Sequence, residues 1–145
     1  MTKRRAGEPW MPAEEYGPSL PTLTVNLLVS DMARALAFYR EVLLAEVRYD
    51  DPDFAALRLL GVDLMLHADH AYDGHPWYPS LRDGERRGLG AELRLFGMDP
   101  DSLVTRARAR GAAVLGEPAD KPHGWREAWV QDPEGYVWAV GKAIR

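Results

Sequence analysis

The chain repeats itself. The stretches Leu23–Leu66 and Ala91–Val140 each carry the pattern of one strand, a helix and then three strands. Self-similarity at this period decides the architecture before any motif does, because a single such unit cannot bury its apolar face alone. Two tandem βαβββ modules predict an α+β fold, a curved mixed sheet around a cleft with the helices on its outer face. At 145 residues, the two modules make one domain.

Local signals place the elements. Thr22–Val29 alternates, with Val25, Leu27 and Val29 on one face and Thr24, Asn26 and Leu28 on the other. Asp31 is placed to cap a helix over Met32–Leu43, whose inner stripe holds Leu36, Tyr39 and Leu43. Val47–Asp50 is a short strand, Asp51-Pro52-Asp53 a turn, and Phe54–Leu60 with Val62–His67 a hairpin about Gly61. In the second unit Ala91, Leu93 and Leu95 alternate with Glu92, Arg94 and Phe96. Asp99 caps the next helix, Pro100 takes its first position, and Gly111 ends it. Ala113–Leu115 is a strand, and Glu127–Val130 and Tyr136–Val140 form a hairpin on Asp132-Pro133-Glu134-Gly135.

Two segments fall outside the repeat. Residues 1–19 carry Pro9, Pro12 and Pro18 without periodicity and read as an arm. Trp10, Met11 and Tyr16 are odd in a solvated tail; the reading divides between an arm packed on a neighbouring surface, such as a second subunit, and a frayed end. Residues 70–87 form a connector, aromatic at His70, Tyr72, His75, Trp77 and Tyr78 and charged from Arg82 to Arg87. Loops of that length are often functional or mobile. The organisation expected is therefore an arm at 1–19, a first module at 20–69, the connector at 70–87 and a second module at 88–145.

Composition removes whole classes of function. A net charge of −4 gives no electrostatic case for nucleic acid or anionic membrane. Without cysteine there is no disulfide, thiolate nucleophile or cysteine-based zinc site. No apolar run approaches the roughly 20 residues of a membrane span. The basic start at Lys3, Arg4 and Arg5 is not followed by an apolar stretch, so it is no secretion signal, and the expected location is the cytoplasm. Gly88-Leu89-Gly90 precedes a strand rather than a helix and is no phosphate loop.

With Val29-Ser30-Asp31, Phe38-Tyr39, Arg108-Ala109-Arg110-Gly111, Gly124-Trp125-Arg126 and Asp132-Pro133-Glu134-Gly135-Tyr136-Val137-Trp138 in this order, the chain resembles the vicinal oxygen chelate superfamily. That group includes glyoxalases, bleomycin-resistance proteins and extradiol dioxygenases, and the likeness spans roughly Leu20 to Gly141. It implies paired βαβββ modules forming a cleft within a chain or across a homodimer. In the enzymes it implies one divalent metal held by the first and last strands of each module. Carried over, those ligand positions fall at Thr24, Met65, Glu92 and Ala139. Only Glu92 binds metal with useful strength, so the expected cofactor is none. The alternative is one divalent metal on a displaced set, His67, Asp63 and Glu92, since Asp63, Met65 and His67 share a strand face. A His at a strand end is more often a surface or hydrogen-bonded residue than a ligand.

The same parity predicts a cleft face of Thr24, Asn26, Leu28, Asp63, Met65, His67, Glu92, Arg94, Phe96, Val137 and Ala139, apolar walls with a few polar groups. Glu92 and Arg94 either fix polar groups of a ligand or pair with strand neighbours. Trp77, Tyr78 and Trp129 are candidates to stack on a planar ligand; Trp125 and Trp129 serve equally as core or dimer contacts, and Trp138 belongs to the core. The leading expectation is a dimeric, metal-independent protein that binds and sequesters a small, partly aromatic molecule, as the metal-free antibiotic-binding members do. The ligand-binding set expected is Thr24, Asn26, Met65, His67, Trp77, Tyr78, Glu92, Arg94, Phe96, Trp129 and Ala139. The alternative is an enzyme, using the displaced metal set or Glu92 as general base. A third reading is an interaction module with a vestigial cleft.

Overall fold

A computed structural model describes residues 1–145. It contains two four-stranded mixed sheets of the same topology. The first is built from β1 (Val25–Val29), β2 (Glu46–Asp50), β3 (Phe54–Leu59) and β4 (Val62–Ala68), in the order β1-β4-β3-β2. The second is built from β5 (Glu92–Phe96), β6 (Ala113–Asp120), β7 (Trp125–Gln131) and β8 (Val137–Ala143), in the order β5-β8-β7-β6. In each, the first and last strands pair in parallel and the others antiparallel. Helix α2 (Met32–Glu41) supplies the crossover of the first module and α4 (Pro100–Ala109) that of the second. The repeat and the α+β architecture read from the sequence are those of the molecule.

The caps form as the sequence predicts. Asp31 accepts from the Arg34 amide at 3.1 Å, and Asp99 from the Ser102 amide at 2.9 Å. Between β3 and β4, Leu60 and Gly61 both take positive φ, 46° and 82°. That tight two-residue turn fixes the hairpin register and so decides which β4 residues share a face.

The chain divides into two compact units. One holds Met1–Leu36 and Leu44–Glu85, the other Ala37–Leu43 and Arg86–Arg145. The far half of α2 therefore belongs with the second unit rather than with the module that precedes it in sequence. Within that unit the Tyr39 hydroxyl donates to Asp132 at 2.7 Å, and Arg106 Nε donates to the Val42 carbonyl, just past the helix end, at 3.0 Å.

In the first unit Leu27, Val29, Leu57, Leu64 and Leu66 are buried on one sheet face, and Asn26, Asp63, Met65 and His67 lie on the opposite, partly open face. In the second, Leu103, Val104 and Ala107 of α4 are buried with Val130, Trp138 and Val140. Each buried Leu or Val among them contributes roughly 1.5–3 kcal/mol. Trp138 is core, as expected.

Other boundaries differ. The first strand starts at Val25, and β6 runs on to Asp120. The arm is not featureless, for it contains helix α1 (Ala13–Ser19) with Pro18 inside. The connector holds a 3₁₀ turn at Asp69–Tyr72 and helix α3 (Tyr78–Arg82). No helix is long and apolar enough to cross a membrane.

Candidate functional site: a cavity between the first sheet and the N-terminal arm

The arm lies on the open face of its own first sheet. The buried Asp53 carboxylate anchors it, accepting from the Arg4 amide at 2.7 Å, the Arg5 amide at 3.2 Å and His70 Nε2 at 2.7 Å. Burial alone would raise Asp53, but the bonds from His70, Arg4 and Arg5 outweigh it and hold the carboxylate below its ordinary range. Thr2 adds bonds to Asp73. Farther along, Trp10 stacks on Tyr49, centroids 5.3 Å apart and planes 18° from parallel. Tyr16 of α1 meets Trp10 and Phe54 edge-on. Of the two readings of the arm, packing on a surface is the one realised, and that surface is the chain's own.

Between arm and sheet is a cavity of about 540 Å³. Phe54, Met65 and His67 form its sheet wall, and Trp10, Met11, Tyr16 and Leu20 its apolar roof. Lys3, Arg5, Glu8, Glu14 and Asp51 bring charge to its rim. A second space of about 170 Å³ under the same helix reaches Arg48, Arg58 and Asp63. Asp63 is bonded there by Arg58 at 3.1 Å, with Arg48 at 3.9 Å.

His67 is the polar side chain on the cavity's sheet wall. Its Nδ1 lies 2.7 Å from Asn26 Oδ1 on the adjacent strand, and Asn26 Nδ2 donates to the Tyr72 hydroxyl at 2.7 Å. Phe54 and Tyr72 flank the imidazole, each at 5.0 Å. Burial, aided by the positive charge of Lys3, pushes His67 down to about 4, so it is neutral at pH 7.

The second sheet presents a different face. Arg94 donates to Glu92 and to the buried Glu127, each at 2.8 Å, and its guanidinium sits 4.6 Å from the Trp125 ring centre. His123 lies 3.4 Å from Glu127. Burial would raise Glu127, but the bonds from Arg94 and His123 outweigh it and lower it. Phe96 packs on Trp125, and Lys121 lies over Trp129. Trp129 lies against Gly116, where a Cβ would come within 2.9 Å of the indole. Glu92 and Arg94 are paired with each other, and Arg94 with Glu127 as well. Glu92 is exposed and joined to Arg94.

The expected ligand set thus separates. Met65 and His67 wall the cavity, and Asn26 stands behind His67 as its hydrogen-bond partner. Thr24 is half-buried just ahead of β1 and does not line the cavity. Glu92, Arg94, Phe96 and Trp129 share the second sheet's face. Ala139 is fully buried between its strand partners Arg94 and Trp129 and offers a ligand no surface. Trp77 and Tyr78 also lie off the cavity; Trp77 is the exposed end of a row of rings running through His75 and Tyr72 to His67. Sequence reasoning missed Phe54, Asp53 and the arm. Counting outward from Leu60-Gly61 puts Phe54 opposite His67, a signal that was there to use.

The donor set does not fit a divalent metal. Thr24, Met65 and Ala139 offer no strong ligand at the family's positions, and Glu92 is taken by Arg94. In the displaced set Asp63 is bound by Arg58, and His67 faces Asn26. Nowhere do three or more His, Asp or Glu side chains gather as a metal site requires.

A sequence model described as Glyoxalase/Bleomycin resistance protein/Dioxygenase superfamily matches residues 22–140. Among solved structures, a glyoxalase/bleomycin resistance protein/dioxygenase family enzyme from Burkholderia phytofirmans PsJN is 24% identical with a TM-score of 0.67, over 83% of this chain and 97% of that one. A glyoxalase/bleomycin resistance protein/dioxygenase from Nocardioides is 25% identical with a TM-score of 0.65, over 91% and 93%. TioX from Micromonospora sp. ML1 is 23% identical with a TM-score of 0.63, over 84% and 98%. No curated protein matches the chain.

Proposed function

As the chain belongs to the Glyoxalase/Bleomycin resistance protein/Dioxygenase superfamily, we propose that it works as the binding members do, sequestering a small, partly aromatic molecule without a metal. The site is the cavity beneath the N-terminal arm. The observation that carries this reading is the cavity itself: about 540 Å³, roofed by Trp10, Met11 and Tyr16 and walled by Phe54, Met65 and a neutral His67. Small-molecule pockets run from roughly 300 to 1,000 Å³, mostly apolar with a few placed polar groups. Flat side chains bury a planar ligand at little cost in side-chain entropy. Binding rather than turnover is favoured by the donor set, which lacks the metal ligands of the family's enzymes, and by the pairing of Glu92 with Arg94.

The test is a panel of planar aromatic compounds titrated against the intact protein and followed by tryptophan emission, with Met65→Trp as a variant whose larger side chain narrows the cavity. The reading expects stoichiometric binding, ligand recovered unchanged, and affinity reduced at least tenfold in the variant. Conversion of the ligand, or binding indifferent to the narrowed cavity, would contradict it.

A further inference from the structure

The proposed pocket has a polarity that its apolar walls conceal. Asn26 Oδ1, 2.7 Å from His67 Nδ1, is an amide oxygen and can only accept. Nδ1 must therefore carry the imidazole proton. The other end of the same amide, Asn26 Nδ2, donates to the Tyr72 hydroxyl at 2.7 Å, so both polar atoms of the side chain are engaged. In a neutral imidazole the other nitrogen then holds a bare lone pair. That atom, Nε2, takes no partner within the protein. No buried side-chain nitrogen or oxygen lacks a partner, so Nε2 is not sealed away, and its side chain lines the cavity. Phe54 and Tyr72 hold the ring on either side and restrict its rotation.

We propose that His67 Nε2 is a fixed hydrogen-bond acceptor which selects aromatic ligands bearing an O–H or N–H donor, with Asn26 as the residue that positions it. This rests on the pocket assignment above and specifies the ligand class. Among the apolar rings and thioethers of Phe54, Met65, Trp10 and Met11, an acceptor on a side chain that lines the cavity leaves a cost when a ligand covers it unmatched. A site built to meet a hydroxyl or an N–H therefore rejects the analogue that lacks it more strongly than an apolar pocket rejects a change of one methylene.

The experiment pairs 1-naphthol with 1-methoxynaphthalene, which differ in the donor, against wild type, His67→Phe and Asn26→Leu. Wild type should bind the naphthol at least tenfold more tightly. In His67→Phe the preference should shrink below about threefold while the ether still binds. Nitrogen-15 NMR of the wild-type imidazole should show a protonated Nδ1 and a bare Nε2, a pattern that Asn26→Leu should shift towards the other tautomer. Equal affinities in wild type, a preference that survives His67→Phe, or a protonated Nε2 would overturn the proposal while leaving the pocket in place. If neither compound bound wild type, the pocket assignment would fail and this inference with it.

Discussion

Single residues hold the architecture at points that can be tested separately. Tyr39 is fully buried; its hydroxyl donates to Asp132 at 2.7 Å and accepts from Trp138 Nε1 at 3.2 Å. Burial, together with the Asp132 carboxylate, raises this phenol well above its ordinary value, and burial also raises Asp132. Tyr39→Phe removes one partner from each neighbour and leaves a buried carboxylate oxygen unmet. We expect a loss of about 1–3 kcal/mol by chemical denaturation; unchanged stability would show that the bond contributes nothing net. Asp53 does the corresponding work for the arm. Its folded-state carboxylate is lowered, so the stability it adds is present above the ordinary carboxylate range and is lost as pH falls through the lowered value. The arm should stay docked near neutrality and loosen only in acid, below about pH 4. Asp53→Asn should loosen it at pH 7, read as faster hydrogen exchange at the Arg4 and Arg5 amides. Equal exchange in both proteins would remove Asp53 as the anchor.

At the scale of elements, legibility followed the range of the forces involved. The caps at Asp31 and Asp99, the break at Gly111 and the hairpin about Gly61 are set within a few residues, and the sequence shows them directly. Strand parity placed Met65 and His67 on the open face because it repeats along one backbone. It failed at Ala139, which has the right parity but is buried by neighbours on both sides. That the arm packs was one of the readings the sequence allowed, but the surface it packs on was illegible for a stronger reason. Its placement depends on Arg4 and Arg5 finding Asp53, and Trp10 finding Tyr49, some 40–50 residues away in sequence, and no local periodicity encodes that. Asp53 itself looked like an ordinary turn residue. Close packing between strands was equally silent: a Cβ on Gly141 would lie 2.4 Å from the Arg126 carbonyl oxygen of the neighbouring strand. Gly141→Ala should therefore force β7 and β8 apart and cost about 1–3 kcal/mol, measured by thermal denaturation. A neutral result would mean that the strands give way freely.

For the molecule as a whole, two units of one topology carry unlike faces. The first is roofed by the chain's own arm and holds an apolar cavity around a neutral imidazole; the second bears an arginine clasped by two carboxylates over a tryptophan. The repeat dictated the fold twice, but the arm, present only before the first copy, made one face a pocket. The function proposed therefore depends on where the ligand goes, and the methionines report on that directly. Of the five, Met11 and Met65 line the cavity, whereas Met1, Met32 and Met98 do not. The measurement is a carbon-13 methyl spectrum of the methionines during titration with an aromatic ligand such as 1-naphthol. Shifts concentrated at Met11 and Met65, with Met98 still, are the result expected. Shifts at Met98 with Met11 and Met65 unmoved would place binding elsewhere and contradict the account.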